Sequence, residues 1–383
     1  MSIIHPFLIR KGEKPPVPGT GNRVRFFDYD GTLLKTQYVE TGNNATPPTL
    51  PDYSVEAEDR PALVFQTWNN SIYNIQRDTD LGAIYKTNDE KTYMYMEFTP
   101  ITGKSPTLYI NKTDTTALVI DWGDGTIETN STNGNITLNH TYTNYGRYRI
   151  LMGYPGYNVF WKIGHGTSST TFFGDTGNTY SPCLKGLYIG GNISTIQNYG
   201  LSDCYNLKKL TMPTLMSTLD NYCFKNCYLL PFVITPYFAT LVNAGVFQNC
   251  YSLSNIILSA GIEKIGNSAI SNNFSLKDII FPDGLTTFNN YSMAVARTLR
   301  KITVPASVTT LGTQVFYGAV NMLYYKFLST TPPTMANINV FENINLLCKI
   351  YVPDNSVDVY KTAINWDTYA DYIYPLSEFE EVE

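Results

Sequence analysis

Two aspartates one residue apart, Asp28 and Asp30, precede Gly31, Thr32 and Leu33 in the stretch FFDYDGTLLKT. A carboxylate pair of this kind raises the question of a phosphatase working through an aspartyl-phosphate. That chemistry also needs a Lys or Arg to hold the phosphate, a hydroxyl donor, and further carboxylates that bind Mg²⁺ at a neighbouring strand tip. A second acidic turn, Asp121 and Asp124 in ALVIDWGDGTIETN, stands ahead of His140 in HTYTNYGRYRIL and offers a thin set of metal ligands. The other two histidines, His5 and His165, lie in an N-terminal tail and in the loop GHGTSSTT. No histidine accompanies a nucleophile and an orienting partner. The stretch NGNITLNH lacks the Lys-Ser or Lys-Thr of a phosphate loop.

The elements that must position these groups decide between the readings. The opening motif resembles that of the haloacid dehalogenase superfamily, which implies Asp28 as nucleophile and Asp30 as general acid and base. The chain beyond it does not supply that fold: QYVETGNNATPPTLPDY carries Gly42, Asn43, Asn44, Pro47, Pro48 and Pro51, which break a helix where a crossover is needed, and no Asp-Asp pair occurs anywhere. DYDG reads instead as a hairpin turn between VRFF and LLKTQYV, with Gly31 at positive φ and the Asp side chains accepting from nearby amides. Residues 22–87, with TQYVETGNNATPP and WNNSIYNIQRDTDLGAIYK, resemble the internalin-type B-repeat. That implies a small β-grasp-like module with Trp68 and Tyr85 in its core. WGDGT, HTY and the following Gly-x-Tyr resemble the PKD-type domain, which implies a β-sandwich over residues 88–165 whose Asp121, Asp124 and His140 are turn and strand-edge hydrogen-bonding residues.

The strongest signal is a repeat of 23 residues. Leu184, Leu207, Leu230, Leu253, Leu276, Leu299 and Met322 recur at that spacing without a gap, and a second apolar column runs through Leu187, Leu210, Val233, Ile256, Ile279, Ile302 and Tyr325. A third holds Ile196, Leu219, Val242, Ile265, Phe288 and Leu311, and a fourth Leu201, Phe224, Phe247, Ile270, Met293 and Phe316. No single unit can bury four such columns alone, so the repeats must stack as a solenoid. Units such as SLSNIILSAGIEKIGNSAI resemble the BspA-like leucine-rich repeat, which implies a solenoid over residues 166–353. Residues 354–383 resemble that family's closing element, a cap with an acidic tail. There a short helix near Val357 to Ile364 precedes Trp366 and Tyr369, which cover the open end. Cys204, Cys227 and Cys250 share a repeat slot with Asn273, Ala296 and Ala319, so the slot takes small buried side chains and the thiols are expected to be free.

Composition agrees with a mainly β, multidomain protein: charged residues are only 15%, while Tyr (30), Gly (27) and Pro (21) favour strands and turns. A net charge of −5 argues against a nucleic-acid partner, and no apolar run reaches the roughly 18 residues that span a membrane. MSIIHPFLIRKGEKPPVPGTG does not read as a secretory leader. Residues 1–21 are expected to attach the chain to virion or surface assembly proteins, homo-oligomers included. The expectation is a non-enzymatic display protein without cofactor or metal that recognises a host-surface glycan or protein. The location expected is a phage virion, with a bacterial cell surface as the alternative. Strand alternation aims the residues flanking the first two columns outward, giving Lys209, Phe232, Asn255, Lys301 and Tyr324 as the recognition strip.

Overall fold

The computed structural model describes residues 21–153, 161–164, 170–175, 180–191 and 193–380. His5, His165 and all but the last residue of the expected attachment segment fall outside them. Strands Asn22–Phe27 (β1), Leu33–Val39 (β2), Leu63–Trp68 (β3) and Thr79–Thr87 (β4) form one sheet in the order β2-β1-β4-β3, with β1 and β4 parallel. Its core holds Phe26, Trp68, Leu81 and Tyr85. DYDG is the turn of the β1-β2 hairpin: the Asp28 amide donates to Thr32 O at 2.8 Å, and the Tyr29 and Thr32 amides donate to the Asp28 and Asp30 carboxylates. Gly31 adopts a φ of +89°, which an L side chain resists.

Seven strands follow: Thr92–Phe98 (β5), Thr107–Lys112 (β6), Leu118–Asp121 (β7), Ile127–Asn130 (β8), Gly134–Asn139 (β9), Gly146–Gly153 (β10) and Trp161–Ile163 (β11). Period-two alternation turns Met94, Met96 and Phe98 of β5 toward Leu108 and Ile110 of β6, as in two packed sheets. The two sheets do not end with the sandwich. β5 pairs with β10 on one side and with Leu184–Tyr188 of the first repeat on the other, while β11 lies between β6 and Ile193–Ile196. Each sandwich sheet therefore runs on as one wall of the solenoid, and a single apolar core extends from Met94 to Ile373. The expected boundary near residue 165 separates two sequence patterns within one packed body.

The solenoid makes about eight turns. Residues of successive coils pair in parallel at an offset of 23, as in Gly186 with Lys209 and Phe232 with Asn255, and no member of the four apolar columns is more than 7% exposed. Pro231, without an N–H, stands where Lys208 donates to Lys185 O, and the ladder is interrupted between the second and third coils. Two polar columns tie the turns together. Asp203, Asn226, Asn249 and Asn272 occupy the left-handed region (φ 59 to 64°), and each Asn amide donates to the residue one coil back at 2.7 to 2.8 Å. In the cysteine slot, Cys227 Sγ donates to Leu201 O at 3.3 Å, Cys250 Sγ to Phe224 O at 3.2 Å and Asn273 Nδ2 to Phe247 O at 3.0 Å. Where the slot holds a donor it satisfies a carbonyl of the preceding coil, and Ala296 and Ala319 fill it by size alone. All six thiols are free, and burial pushes Cys250 up to about 12. A helix at Val357–Thr362 leads to Trp366, whose Nε1 donates to Pro333 O at 2.8 Å and which closes the end of the stack. A last strand at Ile373–Pro375 pairs parallel to Lys349–Val352.

Candidate recognition site

The expected recognition strip meets the first module. Phe232 is 5% exposed because Phe27 packs against it, ring centroids 5.9 Å apart, and the hairpin turn lies on top: a Cβ at Gly31 would sit 2.8 Å from Phe232 Cγ. Gly82 of β4 approaches Ile234 as closely, a Cβ there falling 2.6 Å from Ile234 Cγ1. Lys209 is bridged to Asp59 of the same module. Farther along, Arg25 holds Asp80 through two bonds of 2.7 and 2.5 Å and also reaches Asp278 Oδ2 at 2.8 Å, with Arg23 on that oxygen at 3.2 Å. Asn69 and Asn70 both donate to Leu258 O. Asn255, half-buried beside this interface, has an Oδ1 with no hydrogen-bond partner among the described residues. The strand residues do point away from the solenoid core, but in coils one to five they point into another module. The expectation that Phe232 stands in solvent is corrected by that contact, and so is the one for Tyr324, 5% exposed beside Tyr351 and Phe379.

Beyond Asp278 the outer strand face changes character. The strands Lys301–Val304, Tyr324–Phe327, Lys349–Val352 and Ile373–Pro375 lie side by side, with Lys301 opposite Tyr324 and Tyr324 opposite Lys349 in one row. The next row sets Thr303, Lys326, Tyr351 and Tyr374 across the same four strands. Cations and phenol rings are thus interleaved at about 4.8 Å between strands, a checkerboard broken where Tyr351 meets Tyr374. Lys349 Nζ sits 4.9 Å from the Tyr374 ring centre, and Lys326 Nζ sits 3.2 Å from that of Phe379, contacts that orient each ammonium. Such a face suits an anionic group flanked by planar or apolar surface. Lys301 and Tyr324 were named by the sequence pattern; Lys326, Lys349, Tyr351, Tyr374 and Phe379 were not. The coil carrying Tyr324 is followed 25 residues later by its partner Lys349, so counting in steps of 23 loses the last strands.

A second row of rings behaves differently. Tyr205, Tyr228, Tyr251 and Phe274 stack along the turns at centroid distances of 4.7 to 4.9 Å and within 14° of parallel, and the Arg297 guanidinium lies 5.2 Å from Phe274. From Tyr228 to Phe274 the ring faces cover one another, so the row ties coils together.

The groups suggestive of catalysis are held in structural bonds. Asp28 is 1% exposed, and burial raises its carboxyl above the ordinary value although Tyr53 Oη donates to it at 2.6 Å and the Tyr29 amide at 2.8 Å. A carboxyl so enclosed has no open line to a phosphate. In the second acidic turn Asp121 accepts from the Gly123 amide and Asp124 from Thr126, while His140 Nε2 meets Asp124 Oδ2 at 2.8 Å and its ring stacks on Trp122 at 4.7 Å. Burial alone would raise the Asp124 carboxyl, but His140 and the Thr126 amide hold it below its usual value. Among the described residues no group of three or more His, Cys, Asp or Glu side chains is placed to hold a metal ion, and no helix is long and apolar enough to cross a membrane.

The sequence matches the BspA type leucine rich repeat region, in six copies, over residues 176–273 and 240–369, together just over half of the chain. No curated protein matches it. Among solved structures it is similar to a leucine rich cell surface protein from Faecalibacterium prausnitzii, with 16% identity, 43% of this chain and 58% of that one covered, and a TM-score of 0.31. It is also similar to a leucine-rich repeat protein from Bacteroides ovatus (16% identity, 44% and 66% covered, TM-score 0.25) and to the pneumococcal vaccine antigen PcpA (14% identity, 48% and 64% covered, TM-score 0.26). The chain spans less than two thirds of the length of each of these structures.

Proposed function

The chain belongs to the BspA-type leucine-rich repeat family, and on that footing we propose that it is a non-enzymatic, surface-displayed recognition protein whose contact face is the outer strand face of the last coils. The observation that carries this reading is the exposed Lys349 set over the Tyr374 ring, on the same four strands as Lys301 and Lys326 and above the buried rings of Tyr324 and Tyr351, on a chain whose net charge is −5. A local basic and aromatic face on an acidic protein selects an acidic partner, either an anionic glycan or an acidic protein segment. A rigid parallel sheet presents these groups with little ordering cost on binding. The first two modules act in this reading as cap and support. Their family kinship, B-repeat-like for residues 22–87 and PKD-type for residues 88–165, is supported by the β2-β1-β4-β3 order and by the WGDGT turn joined to His140 and Tyr142.

Membership of the repeat family favours display on a bacterial cell surface; the stalk-like order of modules also suits a virion, with residues 1–21 as the attachment segment to other assembly proteins. Finding the chain in purified particles or in an envelope fraction decides the location. The contact face is tested by attachment of purified protein to intact target cells. Lys301→Glu, Lys349→Glu and Tyr374→Ala together are expected to abolish attachment with an unchanged melting temperature, and attachment by the unaltered protein is expected to weaken steeply with salt. Full attachment by the folded triple variant would remove this face from the account.

A further inference from the structure

Between residues 70–80 of the first module and coils four and five of the solenoid lies a cleft of about 230 Å³, remote from the checkerboard face. Its floor is apolar, formed by Ile257, Leu258 and Pro282. Its mouth carries Tyr73, whose side chain is well exposed, and Asp283. One wall is Asn70, fixed because its Nδ2 donates to Asp80 O at 3.0 Å and to Leu258 O at 3.1 Å. Its Oδ1 is buried and accepts no hydrogen bond from the described residues. A buried acceptor without a donor is costly, and a ligand hydroxyl would relieve that cost.

The charges around the cleft decide the class of ligand. Each of its three carboxylates stands beside an arginine: Asp80 by Arg25 at 2.5 Å, Asp283 by Arg77 at 2.8 Å and Asp78 by Arg23 at 3.7 Å. Arg23 and Arg25 also hold Asp278, so three arginines answer four carboxylates and the site offers no pull on an anion, while every carboxylate already has a cation beside it. An apolar floor, one ring at the mouth and an orphaned amide acceptor suit a molecule with an apolar face and a rim of hydroxyls. The volume is below the roughly 300–1,000 Å³ of sites for drug-sized ligands, so one ring fills it. We infer that the cleft binds a single neutral pyranose, free or at the end of a glycan, laid against Tyr73 and Pro282 with a hydroxyl donating to Asn70 Oδ1. This site is independent of the contact face proposed above.

Saturation-transfer NMR on the full chain with methyl glycosides of neutral hexoses and N-acetylhexosamines tests it, with immobilised oligosaccharides ending in the same sugars as the second arm. At least one glycoside is expected to bind. Tyr73→Ala, an exposed change with no core contact to lose, and Ala260→Trp, which fills the mouth from an exposed position, are each expected to weaken that binding about tenfold or more. Lys349→Glu is expected to leave it unchanged. Binding to the oligosaccharides alone would assign the site to glycan ends, and binding in both arms to the bare ring. No binding in either arm, or binding unaltered in both folded cleft variants, overturns the inference.

Discussion

At the scale of single residues, positions that look chemical serve the fold, and their titration carries the consequence. Burial raises the Asp28 carboxyl above the 3.8 of an ordinary aspartate. The folded state therefore holds this proton more tightly than the unfolded state, and the contribution is fully present below the unfolded value and lost as pH rises through the raised folded value. Asp28→Asn removes that loss while keeping an acceptor for the Tyr29 amide. Melting temperatures followed from pH 7 down to about 4 are expected to show the variant at or above the parent at neutrality, with the gap closing on acidification. Aryl phosphate hydrolysis in Mg²⁺ is expected from neither protein. A second residue tests the left-handed column. Val295 takes a φ of +61° in the slot where Asp203, Asn226, Asn249 and Asn272 precede it, and a β-branched side chain is poorly suited there. Val295→Asn relieves that strain and extends the amide ladder to Asn272, so unfolding in denaturant is expected to show a gain of about 1 kcal/mol. A loss would mean that Val295 contributes packing that the ladder does not replace.

At the scale of elements, the continuity of the sheets makes the sandwich the N-terminal cap of the solenoid. β5 and β11 satisfy the backbone edges of Leu184–Tyr188 and Ile193–Ile196, which would otherwise present two open parallel edges above a column of Leu and Ile. A fragment of residues 182–380 is therefore expected to aggregate, and one of residues 88–380 to elute as a single folded species with one unfolding transition. A stable, monomeric 182–380 fragment would show that the solenoid closes itself. Much of this level was legible in the sequence, for a physical reason. Each coil repeats one environment, so Leu184 through Met322 announce a buried column, and GDG with HTY announces a turn whose bonds are local. The joining of sandwich to solenoid was not legible, because strand pairs such as Met94 with Leu187 join residues far apart in the sequence with no shared pattern. The outward direction of Phe232 was read correctly from strand alternation, but what lies outside it was not. Phe27 and the DYDG turn reach it from some two hundred residues away, and alternation carries no signal of a second body. The late coils were blurred by the lengthened step to Lys349.

At the scale of the whole molecule, the central claim is that the first module is seated on the early coils, leaving the last coils as the contact face. Gly82 and Ile234 allow this to be tested directly. A Cβ at residue 82 falls 2.6 and 3.2 Å from the two γ-carbons of Ile234, positions that a sulfur would take, so Gly82→Cys with Ile234→Cys can form a disulfide that locks the module down. The six native thiols are buried and free, and do not compete for the new pair. The measurement is attachment of the oxidised, locked protein to target cells, compared with the same protein after reduction. Attachment equal in the two states is the predicted result, since the late coils stay open in both. Attachment lost on oxidation and restored by reduction would contradict the account and place recognition on the early strip of Lys209, Phe232 and Asn255, uncovered when the first module lifts away.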